Sequence, residues 1–229
     1  MSSLVVLLPL QPASVSVEFS YVLTPDGRTV GDHASAPAAL LPRPAGAGGE
    51  VVAIVPVQAL SWHRVELPRG TTAGSPRLRA VLEGLLEDRL LDEPEALHFA
   101  VQPQLRTGEA MWVAVCDRAW LRACVHSLEA AQRPASRIVP EFAPEGELTL
   151  QALGDPQQAM LVAASEEGVM AVPLAPHALS LLPEMPEGAP RIAEPAVAAL
   201  AEQVLQQKFS LQQAPQRWLQ AAQSRWDMA

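Results

Sequence analysis

Lysine, cysteine and long apolar runs are scarce in this chain of 229 residues, and each scarcity closes off a class of protein. The two cysteines, Cys116 and Cys124, follow no CxxC spacing. They read as reduced, buried or half-buried thiols with no disulfide between them. Lys208 is the one lysine, and 16 basic residues stand against 25 acidic ones for a formal charge of −9. No window gathers the five or six cations that phosphate neutralisation needs, so nucleic acid is excluded as a partner and adhesion to anionic lipid is disfavoured. An acidic surface suits a basic protein partner, although solubility would also account for it. No stretch approaches the ~20 apolar residues of a membrane span. The opening MSSLVVLLPLQP has no basic n-region and no cleavage pattern, so no export signal is expected.

Catalytic spacings are absent too. There is no GxSxG or HExxH. The histidines at 33, 63, 98, 126 and 177 fit no zinc pattern, and Cys124 and His126 on one helix would point about 160° apart. His98 is expected to be a buried, hydrogen-bonded imidazole. Carboxylate pairs such as Glu93 with Glu95 and Glu145 with Glu147 flank Pro or Gly in loops, where solvation is the default.

What is present is a foldable balance of 49% hydrophobic and 18% charged residues, with 22 prolines scattered at element boundaries. That length suits one large core or two to three smaller ones. Residues 4–8 read as a buried strand, 15–23 alternate in strand period, and Thr24-Pro25-Asp26-Gly27 supplies a turn into a return strand over 28–32. Residues 34–49 read as a surface connection. Strands are expected at 51–55, 60–67, 96–102, 111–116 and 136–139, with a turn at Arg106-Thr107-Gly108. Asp117 caps a helix carrying Trp120, Leu121, Cys124, Val125 and Leu128. Farther on, 159–164 and 169–172 form a hairpin, and Pro195 and Pro215 open helices, the second carrying Trp218, Leu219, Ala222 and Trp226 on one face.

The most informative stretch is LPRGTTAGSPRLRAVLEGLLEDRLLDEPEALHF, residues 67–99. Ser75-Pro76 marks a helix start, and Leu78, Val81, Leu82, Leu85, Leu86 and Leu90 lay an apolar stripe. Arg79, Glu83 and Glu87 fall on the other side. Glu83 and Glu87 repel mildly at four residues apart, and Gly84 costs about 1 kcal/mol relative to Ala. With Ala80, Gly84 makes a flat strip beside the acidic row. Close approach of the helix to its own sheet is the simplest account of that strip. Docking of a basic partner element is the other.

In pattern, VELPRG, a spacer and LRAVLEGLLEDRLLDEPEALHFAV resemble the cytoplasmic region of the type II secretion system protein L family, with residues 67–101 and 111–141 carrying most of the likeness. The resemblance implies an α/β chain with a degenerate actin-like ATPase, ribonuclease-H-like fold, similar to pilus-assembly protein M. A first ribonuclease-H-like part would span 1–59, completed by 112–145. A small strand-helix-strand-strand insertion at 60–111 would bind the ATPase, and a second ribonuclease-H-like part would span 146–229. It further implies a non-enzymatic scaffold on the cytoplasmic face of the bacterial inner membrane. Such a scaffold recruits the N-terminal domain of secretion ATPase E for pseudopilus assembly, contacts protein M and other platform components, and pairs with a second copy. The chain would reach the membrane only through a helix beyond residue 229. The partner-binding residues are then Arg79, Ala80, Glu83, Gly84 and Glu87.

The rival within the same fold is an active, nucleotide-binding actin-like ATPase or a protein M-like adaptor. Such a fold holds phosphates on Asp and Gly residues of tight hairpins near the start of each half. In the first half the matching span reads PLQPASVS, without Asp or Gly and with prolines that remove backbone donors. In the second half, Ser165-Glu166-Glu167-Gly168 is taken as the matching hairpin, where adjacent carboxylates repel a triphosphate unless Mg²⁺ intervenes. The run Gly46-Ala47-Gly48-Gly49 lacks the Lys and Ser/Thr of a phosphate loop. No cofactor and no metal are therefore expected.

Overall fold

The computed structural model describes residues 2–11, 16–46, 48–68, 71, 75–103 and 109–229. The expected turn at Arg106-Thr107-Gly108, residues 12–15 of the first connection, and Ala47 lie outside the described residues. In chain order come β1 (Ser3–Leu7), β2 (Glu18–Thr24), β3 (His33–Pro37), β4 (Glu50–Val55) and β5 (Ser61–Glu66). Helix α1 (Leu78–Leu86), β6 (Leu97–Val101), β7 (Ala110–Asp117), α2 (Arg118–Ala130) and β8 (Arg137–Pro140) follow. Then come β9 (Thr149–Leu153), β10 (Met160–Ser165), β11 (Gly168–Pro173), β12 (Arg191–Ala193), α3 (Ala198–Leu205), β13 (Ser210–Leu211) and α4 (Ala214–Ala221). They fall into two compact units, residues 1–141 with 219–229, and residues 142–218.

The first unit is built on a sheet ordered β3-β2-β1-β4-β8. Neighbours β1, β2 and β3 are antiparallel, while β4 and β8 run parallel to β1. Strands at the centre of such a sheet are covered on both faces, and unbroken apolar runs serve them. Leu4, Val5, Val6, Val52, Ala53 and Ile54 are accordingly all buried. Between β4 and β8 the chain inserts a second, three-stranded sheet ordered β5-β7-β6. One face of it, with Val65, Leu67, Leu97, Met111, Val113 and Val115, forms a core with Leu82 and Leu86 of α1. The insertion returns without a connecting residue: β7 ends at Asp117, whose Oδ1 accepts the Trp120 N–H at 2.6 Å and caps α2.

After α4 the chain turns at 222–223, and residues 226–229 lie along the outer edge of β8. The N–H of Ile138 donates to Asp227 Oδ1 at 3.3 Å, and its carbonyl accepts the Met228 N–H at 2.7 Å. Trp226 and Met228 are buried, while Arg225, Asp227 and Ala229 between and beside them are exposed.

The second unit has a sheet ordered β11-β10-β9-β12-β13. Here β10 is antiparallel to β9 and β11, and β12 is parallel to β9 and β13. Its connectivity repeats that of the first unit's sheet, strand for strand. A separate core of Leu150, Ala152, Leu161, Ala163, Val172, Ala193, Val197 and Ala201 lies within it.

Several expectations need correction. The return strand is not at 28–32. Asp26 Oδ1 takes the N–H groups of Arg28 and Thr29 at 2.8 and 2.7 Å, and Thr24 Oγ1 takes that of Gly27 at 3.0 Å. Amides closed into such a loop cannot join a ladder, so pairing resumes at His33 inside the span read as a connection. Ser75-Pro76 does not open α1: the Arg77 N–H donates to Ser75 Oγ at 3.3 Å in a preceding turn, and the helix begins at Leu78 with no side-chain cap. Leu85 sits on the rim of the apolar stripe and is exposed. Pro195 lies three positions before α3, and Trp226 lies beyond α4 in the extended segment.

Candidate functional site

The resemblance to actin-like folds implies phosphate hairpins near the start of each half, which in this topology are the turns after the first strand of each five-stranded sheet. In the first unit that turn follows β1. There the Pro9 carbonyl accepts the Trp120 indole N–H at 2.9 Å, which ties the strand end to α2. In the second unit the first strand is β9, so the equivalent turn is 154–158, and 165–168 is instead the next hairpin, between β10 and β11. The assignment made from the sequence is thereby corrected. It missed Gly154 and Asp155, whose signal was a Gly-Asp pair directly after the TLQAL strand.

That turn keeps the residue types of a phosphate hairpin but spends its donors internally. Gly154 has φ +98°, and a Cβ there would meet the Gln158 carbonyl oxygen at 2.8 Å, so glycine is required. Asp155 Oδ1 accepts the N–H groups of Gln157 and Gln158 at 2.8 and 3.1 Å. The Gly154 N–H donates to Glu194 Oε2 at 2.9 Å, and Glu194 Oε1 pairs with Arg217 Nη1 at 2.7 Å. Both side chains of that pair are largely buried. A carboxylate of the chain thus takes a backbone donor and a guanidinium that would otherwise suit an anion.

The partner-binding residues expected on α1 divide into two sets. Arg79 is engaged by the chain: its Nη2 donates to the carbonyls of Pro94 and Leu97 at 3.1 and 3.2 Å, and its Nε pairs with Glu83 at 2.8 Å. Its guanidinium also lies 5.4 Å from the centre of the Phe99 ring. Ala80, Gly84 and Glu87 are exposed, and a Cβ at Gly84 would meet nothing within 4 Å. The close-approach account of the small residues is therefore wrong, because the strip faces open space. Leu91 is fully exposed nearby in sequence.

Other candidates are structural. Burial pushes the Cys116 thiol up to about 12, helped by Asp117, and the Cys124 thiol up to about 11. Both are free, buried and unreactive by that measure. His98 Nε2–H donates to the Met228 carbonyl at 2.8 Å. Among the described residues no group of three or more His, Cys, Asp or Glu side chains is placed to hold a metal ion. Among them, too, no helix is long and apolar enough to cross a membrane.

Two sheets of this connectivity in one chain, with a small insertion in the first, define an actin-like fold. The family model for type II secretion system protein L matches residues 36–221, and the chain belongs to that family. It is 35% identical over 109 residues to type II secretion system protein L of Vibrio cholerae serotype O1. That match takes in 46% of this chain and 26% of the relative, so the matched part spans about a quarter of the relative's length. The solved cytoplasmic domain of EpsL, an inner-membrane component of the Vibrio cholerae type II secretion system, matches with TM-score 0.66 and 23% identity. The match covers 100% of this chain and 98% of that one. A chain of the PilM-PilN type IV pilus biogenesis complex matches with TM-score 0.54 and 12% identity, over 93% and 88%. At these identities the two structures establish the shared fold.

Proposed function

We propose that this chain is a non-enzymatic scaffold of the type II secretion platform, acting on the cytoplasmic face of the inner membrane. It recruits secretion ATPase E through the ATPase's N-terminal domain and couples hydrolysis to pseudopilus assembly. Protein M, other platform components and a second copy of the chain are its further partners. The docking part is the insertion at 60–111, set within the first ribonuclease-H-like part (1–59 with 112–145), and the second part spans 146–229. One observation carries the reading. The phosphate turn of the second unit is filled by Glu194, while α1 leaves Ala80, Gly84 and Glu87 open on the insertion. A fold that has closed its ligand turn and kept an exposed flat strip is suited to holding a protein. Kinship supports it as well: the family is that of a secretion-system component, and the PilM of the matching complex is itself bound to PilN.

The test is titration of the full chain with the N-terminal domain of the cognate ATPase. Glu83 is held by Arg79, so the clean probes are Glu87→Lys and Gly84→Leu together. Binding is expected to weaken at least tenfold, about 1.4 kcal/mol, with weaker wild-type binding at higher salt. Millimolar Mg-ATP is expected to leave the melting temperature unchanged, since a site filled at 100 times its Kd would add about 2.7 kcal/mol. Wild-type affinity in the folded double variant moves the interface off α1. A melting shift with Mg-ATP removes the non-enzymatic reading.

A further inference from the structure

The face of the three-stranded sheet turned away from α1 carries Trp62, His98, Ala100, Ala114 and Cys116, as the pairings Trp62↔Ala114, His98↔Cys116 and Ala100↔Ala114 show. Residues 225–229 lie on it in the way a bound peptide lies in a groove. Alternate side chains go in and out, with Trp226 and Met228 each 1% exposed. The Trp226 ring meets the Trp62 ring edge to face, with centres 4.9 Å apart and planes at 85°. Main-chain bonds run to both sides: Met228 N–H to the Ile138 carbonyl of β8, and the Met228 carbonyl to His98 Nε2 of β6. The root of the segment is clasped by Arg137, whose guanidinium donates to the carbonyls of Ala222 and Ser224. Gln223 Nε2 donates to the Gly27 carbonyl at 3.3 Å. One donor in the groove is left over. The buried indole N–H of Trp62 has no hydrogen-bond partner among the described residues.

From this arrangement we propose that residues 225–229 are a detachable strap, a peptide-like plug seated in cis in a groove between β8 and the three-stranded sheet. The strap makes the position of the chain after α4 a determinant of the order of that sheet. Three features argue for a seat that can empty. It is formed by side chains of a short extended segment and not by a covering helix. Its main-chain bonds to the rest of the unit are few and end-on. The groove keeps an unmet donor that its present occupant does not use, and such a group costs stability while it stays buried. When the strap leaves, β8 loses the partner of its outer edge, Trp62 of β5 loses the Trp226 ring, and His98 of β6 loses the Met228 carbonyl. The seat stands by itself; its use in governing the ATPase rests on the docking reading above.

The test uses the full chain, its Trp226→Ala, Met228→Ala double variant, and a six-residue peptide of the sequence SRWDMA. In the double variant, hydrogen exchange at the amides of β5 and β6 is expected to quicken at least tenfold and to return toward the wild-type rate when the peptide is added. Exchange that does not change overturns the strap, and so does faster exchange that the peptide cannot reverse, which reports plain destabilisation. Should the double variant fail to fold, Met228→Ala alone carries the same measurement. Affinity for the ATPase N-terminal domain should fall at least fivefold in the variant and recover with the peptide. Exchange that behaves as expected without any change in this affinity upholds the strap and counts against docking on the insertion.

Discussion

Replacing Glu194 by alanine removes at once the acceptor of the Gly154 N–H and the carboxylate 2.7 Å from Arg217. Because the Arg217 side chain is only 7% exposed, breaking this pair should resemble the loss of one partner of a buried ion pair, about 3 kcal/mol. Urea unfolding of the second unit is the measurement. Glu194→Gln, which keeps an acceptor oxygen for Gly154, should cost less. A loss below about 1 kcal/mol for the alanine variant would mean that the turn does not depend on its internal carboxylate. His98 provides a pH handle on the first unit. Burial pushes its imidazole below the ordinary range, against the pull of the Met228 carbonyl and with help from Arg79 and Arg118. A histidine with a lowered folded value is protonated first in the unfolded chain. Its contribution to stability is therefore full above about pH 6.5 and declines as pH falls through that value toward the folded one. The urea midpoint of wild type should fall faster between pH 7 and 5 than that of His98→Gln, and parallel curves would refute the assignment.

On α1 the relevant quantity is backbone freedom. Gly84 lies in mid-helix, faces open space, and would accept a methyl group without contact. Gly84→Ala should therefore stabilise the chain by about 0.5–1 kcal/mol in thermal or urea melts, whereas a loss would restore the packing account. The elements that the sequence reveals and those it hides separate for physical reasons. Strands β1 and β4 are legible because both faces are buried and residues 4–7 and 51–55 are unbroken apolar runs, and α2 because Asp117 stands directly before a helical stripe. Strand β3 is hidden: HASAP has no apolar alternation, since the strand is an exposed edge. Strands β12 and β13, three and two residues long, are too short to carry a period at all. Missing β9 as the first strand of the second sheet shifted the hairpin count by one, and with it the phosphate turn. Trp226 was misplaced because it follows Trp218 at helical spacing, while the alternation of Trp226 with Met228 was the truer signal. The open strip on α1 was legible in its residues, but whether it faced the sheet or solvent was not.

For the molecule as a whole, 25 acidic against 16 basic residues, a formal charge of −9, disfavours long-range attraction to another acidic body. Partners with basic faces are favoured, and the rates of their encounter should fall with salt. Two sheets with free flanks also raise a different matter, which concerns the crowd rather than the partner. Strand β3 ends at Pro37 and β11 at Pro173, each an open outer strand of a five-stranded sheet, while the outer edge of β8 is taken by residues 226–229. A proline has no N–H to offer an incoming strand, so each of these flanks is blunted against growth by a neighbouring chain. The remaining flank, β13, is only two residues long. Pro37→Val with Pro173→Val should thus leave the melting temperature within a few degrees while making light scattering rise with protein concentration. Unchanged scattering would assign those prolines to the turns alone and leave the protein's solubility to its charge.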